Sequence, residues 1–275
     1  MSPWLKHLLR VLAVAAGAFV LYYTLDYFEV AWAIWPVAGL FALVVGGELF
    51  LQARRRKKRE DDWDRWERAV YDGSARPAAI RQVREQLATT RRLGGRLKLD
   101  VAHLSVILAE LLDASGKPLD GARVLAQVPV EELDKTQAAV VRHAKIVCYL
   151  SAGDIENAES ALSVRDKASG ARDVDERLDL LGFMVAIEKG EAQAALEGAA
   201  KLETAEDPDV ILESVVVQAA AKDALGDRDG ALALLDRIDE DTLRSLSVLG
   251  QPRIRPLASA ALERATSQAA RAAAG

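Results

Sequence analysis

Three histidines, one cysteine and a few clustered acids are the groups in this 275-residue sequence with which chemistry could begin. A histidine metal site needs several ligands at short, regular spacing. His7, His103 and His143 are far apart in sequence, and no cysteine or acid completes such a spacing around them. Cys148 lies in the apolar stretch IVCYL, where a thiol behaves as a small hydrophobe and not as a nucleophile. Glu131-Glu132 and Asp239-Glu240-Asp241 stand at helix starts, where carboxylates cap backbone N–H groups and complement the helix dipole. That role explains them more simply than proton transfer does. GGRLK from Gly94 is too short for a phosphate loop and has no strand before it, and no nucleophile elbow occurs. The sequence therefore points away from an enzyme. It calls for no cofactor, no metal and no small-molecule substrate.

The chain that carries these groups is two materials joined. Of 36 basic and 41 acidic residues, 8 and 3 fall in residues 1–59, which leaves 28 and 38 in residues 60–275. A basic leader precedes an acidic body, and an acidic body lacks the footprint that nucleic acid requires. All five tryptophans lie at or before Trp66, and beyond it only Tyr71, Tyr149 and Phe183 are aromatic. A body of Ala, Leu and Val with little aromatic filling suits thin, closely packed helix layers, and an all-α fold is expected. The lone cysteine permits no internal disulfide.

The leader reads as a membrane hairpin over residues 1–52. Leu8–Leu25 is apolar apart from Arg10, and Val30–Leu51 is a second apolar run of 22 residues. About 20 apolar residues cross a bilayer core. Asp26–Glu29 is the turn between them. No small-x-small site follows the first run, so a cleaved signal peptide is disfavoured. Lys6, Arg10 and the block Arg54, Arg55, Arg56, Lys57, Lys58, Arg59 flank one side of the hairpin, and the turn carries only acids. The positive-inside rule then puts both termini in the cytoplasm, at a bacterial inner membrane, with the basic block facing the lipid and attracting anionic headgroups. Glu48 folds back level with His7 and Arg10 and reads as a snorkelling acid. Residues 53–73 form the basic juxtamembrane segment and a linking helix. Trp63, Trp66 and Val70 share one face of that helix, which lies either at the lipid interface or under the first soluble helices.

Residues 74–275 contain an internal repeat. GKPLDGARVLAQV, GDIENAESALSVR, GEAQAALEGAAKL and GDRDGALALLDRI begin at Gly116, Gly153, Gly190 and Gly226, spaced by 37, 37 and 36 residues. Each follows a longer helical stretch: Leu97–Ser115, Leu133–Ala152, Val174–Lys189 and Asp209–Leu225. The unit is helix, tight glycine turn, helix. Glycine ends the first helix where a left-handed backbone is needed. Asp154 and Asp227 can cap the second. Ala122, Ala158, Ala195 and Ala231 let two helices approach closely. Helices at Asp241–Leu249 and Arg253–Ala274, separated by Gln251-Pro252 and Pro256, read as a C-terminal cap.

At these residues the sequence resembles the tetratricopeptide-repeat family. Gly153-Asp154 with Ala158 and Leu162, Gly226-Asp227 with Ala231 and Leu235, and Tyr149 carry the likeness. Leu112, Ala186 and Lys222 replace that aromatic elsewhere. Ile146 and Phe183 stand where Ala109 and Ala219 supply a small residue, and the period exceeds the family's roughly 34. The resemblance implies an α-solenoid whose first helices line a concave groove. Its groove positions map to His103, Glu110 and Asp113 in the first unit and to His143 and Val147 in the second. They map to Arg177, Leu180, Met184 and Ile187 in the third, and to Glu213, Val216 and Asp223 in the fourth. Such a groove has an apolar middle and acidic ends, and suits a protein or peptide partner with basic flanks. A register one residue away would instead bury Leu180, Met184 and Ile187 in the core. The expected function is a membrane-anchored interaction scaffold. The alternative is a structural or assembly subunit of a membrane complex, held mainly through the hairpin.

Overall fold

Four glycines at one spacing have to reverse the chain, and in the computed structural model they do. It describes residues 57–58, 60–92, 98–163 and 172–274. The expected spans Leu8–Leu25 and Val30–Leu51, with Arg54, Arg55, Arg56 and Arg59 of the basic block, lie outside the described residues. Lys57 and Lys58 are helical and exposed. Among the described residues no helix is long and apolar enough to cross a membrane. The chain divides into two compact units, Met1–Arg65 and Trp66–Gly275. The second is all-helical among its described residues.

Helix α1 is Arg76–Arg92. Four helix pairs follow: α2 (Lys98–Ala114) with α3 (Pro118–Leu125), α4 (Lys135–Ser151) with α5 (Ile155–Ser163), α6 (Arg172–Glu188) with α7 (Ala192–Ala200), and α8 (Pro208–Ala224) with α9 (Arg228–Leu235). Helices α10 (Glu240–Leu249) and α11 (Ile254–Ala274) end the chain. These limits fall within two residues of those expected from the repeat.

Gly116, Gly153, Gly190 and Gly226 adopt φ of 72°, 71°, 88° and 86°, and among the described residues these are the positive-φ glycines. At each, the N–H beyond the glycine donates back to a carbonyl in the last turn of the long helix. The pairs are Lys117 to Leu112, Asp154 to Tyr149, Glu191 to Ala186 and Asp227 to Lys222, all at 2.9 Å. This pairing satisfies carbonyls that a helix end would otherwise leave without partners. Asp154 and Asp227 then cap the short helices, accepting from the N–H of Asn157 at 3.2 Å and of Gly230 at 2.9 Å. Lys117 and Glu191, at the equivalent places, provide no side-chain cap.

Each long helix packs on the short helix after it and on the next long helix, and each short helix also touches the next long one. The result is a solenoid-like succession in which a layer of long helices faces one way. Ala122, Ala158, Ala195 and Ala231 are at most 2% exposed, at the close approaches between helices. The third unit departs from this pattern and compensates for it. Phe183 takes the place of a small residue in α6, and Gly198 opposes it in α7. A Cβ on Gly198 would lie 2.4 Å from the Phe183 ring, so glycine is required there. At the start of the unit, Trp66 is 3% exposed, and its indole N–H donates to Gln82 Oε1 of α1 at 3.3 Å. Of the two readings of this tryptophan, packing against the first helix of the domain, α1, is the one observed.

Two expectations follow for chemical denaturation of the full-length chain. Gly226→Ala should lose about 1–2 kcal/mol, the cost of holding a Cβ in the left-handed region. Gly182→Ala, on α6 with open space around the new methyl, should gain up to about 1 kcal/mol. Equal effects at the two sites would contradict the turn assignment. Gly198→Ala alone should be destabilising, and Phe183→Ala should recover part of the loss in the double variant. A double-mutant cycle with no coupling would contradict the Phe183–Gly198 fit.

Candidate functional site

The face formed by the long helices carries an apolar cavity. Three successive helices contribute to it: α4 through His143 and Val147, α6 through Leu180, Leu181 and Met184, and α8 through Leu212, Glu213, Val216 and Val217. Six of the groove residues expected from sequence thus meet around one space of about 200 Å³. Leu180, Met184 and Ile187 are all buried in the core, at 1%, 3% and 3% exposure, and of the three Ile187 does not line the cavity. His103 is exposed on α2 and also stands away from it.

The remaining expected residues form charged margins. Arg177 joins α6 to the start of α8, with its guanidinium 2.8 Å from Asp209, 3.3 Å from Asp207 and 3.6 Å from Glu213. Asp113 and Asp223 sit in the last turns of α2 and α8, and Glu188 ends α6. Acids there meet the negative end of the helix dipole, an unfavourable placement worth some tenths of a kcal/mol to about 1 kcal/mol each. The last turns of α2, α4 and α6 hold no basic residue to offset it. Asp223 has Arg228, the first residue of α9, at 3.7 Å, and further cations come from the far end of the chain. Arg253 lies 3.0 Å from Glu188 and 3.6 Å from Asp223. Arg255 lies 3.2 Å from Asp113, which also accepts from the Ser151 hydroxyl at 3.0 Å.

The same segment forms one wall of the cavity. Leu246, Leu249, Gly250, Gln251 and Ile254, from the corner between α10 and α11, complete its lining. Ile254 is 1% exposed. The corner is tight: the Gly250 N–H donates to the Leu246 carbonyl at 2.8 Å, and the Arg255 Nε donates to the Gly250 carbonyl. A Cβ on Gly250 would lie 2.2 Å from the Leu246 carbonyl oxygen, so this position also demands glycine. Sequence reasoning found these helices but treated them only as an end cap. Helix α11 does cover α8 and α9, while α10 reaches across to α2. The available signal was local: Arg253-Ile254-Arg255 is a basic–aliphatic–basic triplet in an acidic body.

Burial tunes the ionisable groups of this face. It pushes the Glu213 carboxyl up to about 7, against the pull of Arg177 and with help from Asp209 and Asp207. Glu110 is exposed on α2, but partial desolvation of its carboxyl and the charges of Glu67 and Asp113 push it above the usual carboxylate range. Burial holds Asp113 above the usual carboxylate range, although Ser151 and Arg255 oppose the rise. His143 falls to about 4, because burial and then Arg177 disfavour its charged form. Cys148 packs beside Gly121 near Ala109, and burial with the charges of Asp113 and Glu110 pushes its thiol up to about 12. Such a thiol is neutral at physiological pH and unsuited to nucleophilic attack.

Compared with protein-family models, with curated proteins and with solved structures, the chain finds no match.

The shift at Glu213 sets a pH dependence. Its folded-state pKa is raised from 4.5 to about 7, so the stability it contributes is full below about 4.5 and is lost as pH rises through 7. His143 has the opposite sense, contributing above its ordinary 6.5 and losing that contribution as pH falls towards 4. Between about pH 6 and about pH 8, the denaturant midpoint of Glu213→Gln should therefore fall less than that of the wild type. An identical fall in both would place Glu213 in open solvent.

Proposed function

We propose that this chain is a membrane-anchored interaction scaffold. Its tetratricopeptide-like domain stands at the cytoplasmic face and takes hold of a partner protein through the face of the long helices. The observation that carries this reading is the apolar cavity shared by α4, α6 and α8, with the acids Asp113, Glu188 and Asp223 at its margins. Apolar lining supplies affinity, and charges at the rim supply orientation and selectivity. The two apolar runs of the leader and the basic block after them support anchoring to a bilayer with anionic headgroups. A binding role also accords with the neutral thiol of Cys148 and with the absence of nucleophile and phosphate motifs.

The test is photo-crosslinking in native membranes, with benzoylphenylalanine placed at Val216 or Met184 of the full chain. A specific partner adduct is expected, and it should persist when residues 1–52 are exchanged for an unrelated membrane anchor. Loss of the adduct on that exchange would favour an assembly subunit that works through its hairpin. No adduct at either position, with the protein present at normal level, would count against the scaffold.

A further inference from the structure

The groove that the scaffold reading assigns to a partner is occupied by the chain itself, and the occupant has the chemistry expected of the partner. Ile254 enters the apolar middle. Arg253 and Arg255, on either side of it, reach Glu188, Asp223 and Asp113 at the ends of three long helices. Arg255 and Asp113 are 142 residues apart in sequence, so this contact ties the last element to the first pair. Resting on the scaffold reading, we propose that the α10–α11 corner is an internal ligand of the groove, and that the partner carries a basic–aliphatic–basic segment which displaces it.

Charge and geometry choose this occupant over others. The acids at the helix ends are unfavourable without a cation, because the helix dipole repels them, and α2 and α6 supply none in their last turns, while Asp223 of α8 also has Arg228 at 3.7 Å. Any ligand of this face must therefore bring positive charge at two places. Those places flank an apolar space, so a residue between the two bases must be aliphatic. The corner meets both demands within three consecutive residues. Its grip is also exchangeable. Arg253 is 31% exposed and so is Glu188, and an ion pair with that much solvent contributes little, about 0–1 kcal/mol, whereas Arg255 meets the buried Asp113 and holds that end more firmly. The cavity left under the corner, about 200 Å³, gives a partner room for an apolar side chain that the corner does not fill. An acidic segment would place like charge against Asp113, Glu188 and Asp223, and a wholly apolar one would take away the cations that Arg253 and Arg255 bring to Glu188 and Asp113.

The probe is a fluorescently labelled synthetic peptide of residues 239–267 of this chain, with a second peptide carrying Glu at both arginine positions as control. Binding is read by anisotropy on the full-length chain. Full-length Arg253→Glu/Arg255→Glu, whose own corner is repelled from the groove, should bind the first peptide at least about ten-fold tighter than wild type, and the control peptide should bind neither. Equal affinity for wild type and variant, or no binding to a variant that keeps its helical circular dichroism, overturns the proposal. Should that variant lose its helical signal, Glu188→Gln/Asp223→Asn serves instead, since it leaves the corner's sequence intact. Hydrogen exchange of residues 250–258 should then speed up by about ten-fold relative to the interior of α8, and unchanged exchange overturns the proposal. A partner adduct at Val216 that persists while these tests fail would sink the internal ligand and leave the scaffold reading standing.

Discussion

The left-handed glycine turn is the constraint on which the rest of this domain depends. A long helix has to end, reverse within a few residues and lay a short helix back along itself. Only a residue without a Cβ does this cheaply, and Gly116, Gly153, Gly190 and Gly226 all adopt the required φ. Because the turn recurs at nearly constant spacing, the long helices end in line. That alignment gathers their last turns, and the acids Asp113, Glu188 and Asp223 borne there, along one margin of a face. The charge pattern of the groove is thus a consequence of the turn as much as of the acids.

The same alignment gives the C-terminal corner its role. Aligned helix ends sum their partial negative charges, and acids placed there need cations from elsewhere. Arg253 and Arg255 supply them while Ile254 removes apolar surface from water. A partly covered groove results, held by a buried aliphatic residue, by the partly exposed Arg253–Glu188 pair and by Arg255 on the buried Asp113. Glu213 and His143 lie beside it, partly buried, and desolvation disfavours the charged form of each.

Much of this was readable from residue spacing. The turns, the buried alanines and the helix limits follow from a glycine period and from helical periodicity, which are local signals. His143, Val147, Leu180, Met184, Glu213 and Val216 line one cavity because helix register propagates from one glycine to the next, although Leu180 and Met184 are buried among the core residues. Ile187, one turn further along α6 than Met184, is buried like it but does not reach the cavity. The Phe183–Gly198 exchange was half visible: the bulky residue was noticed, but its partner on α7 was not, because compensation between helices leaves no periodic trace. The corner was invisible as a groove occupant. Nothing local links Arg255 to Asp113 across the length of the solenoid, and Gly, Gln and two prolines around the triplet read as a simple break between helices.

The central claim is that the chain's own corner sits on the face of the long helices. It is tested most directly by placing a photo-reactive benzoylphenylalanine at Gln251, which lines the cavity from the corner and is half-buried. After irradiation of the purified full-length chain, mass spectrometry should find intramolecular adducts on peptides containing Met184 or Leu212–Val217. Adducts confined to α9 or α11, or none within the chain, would contradict the account.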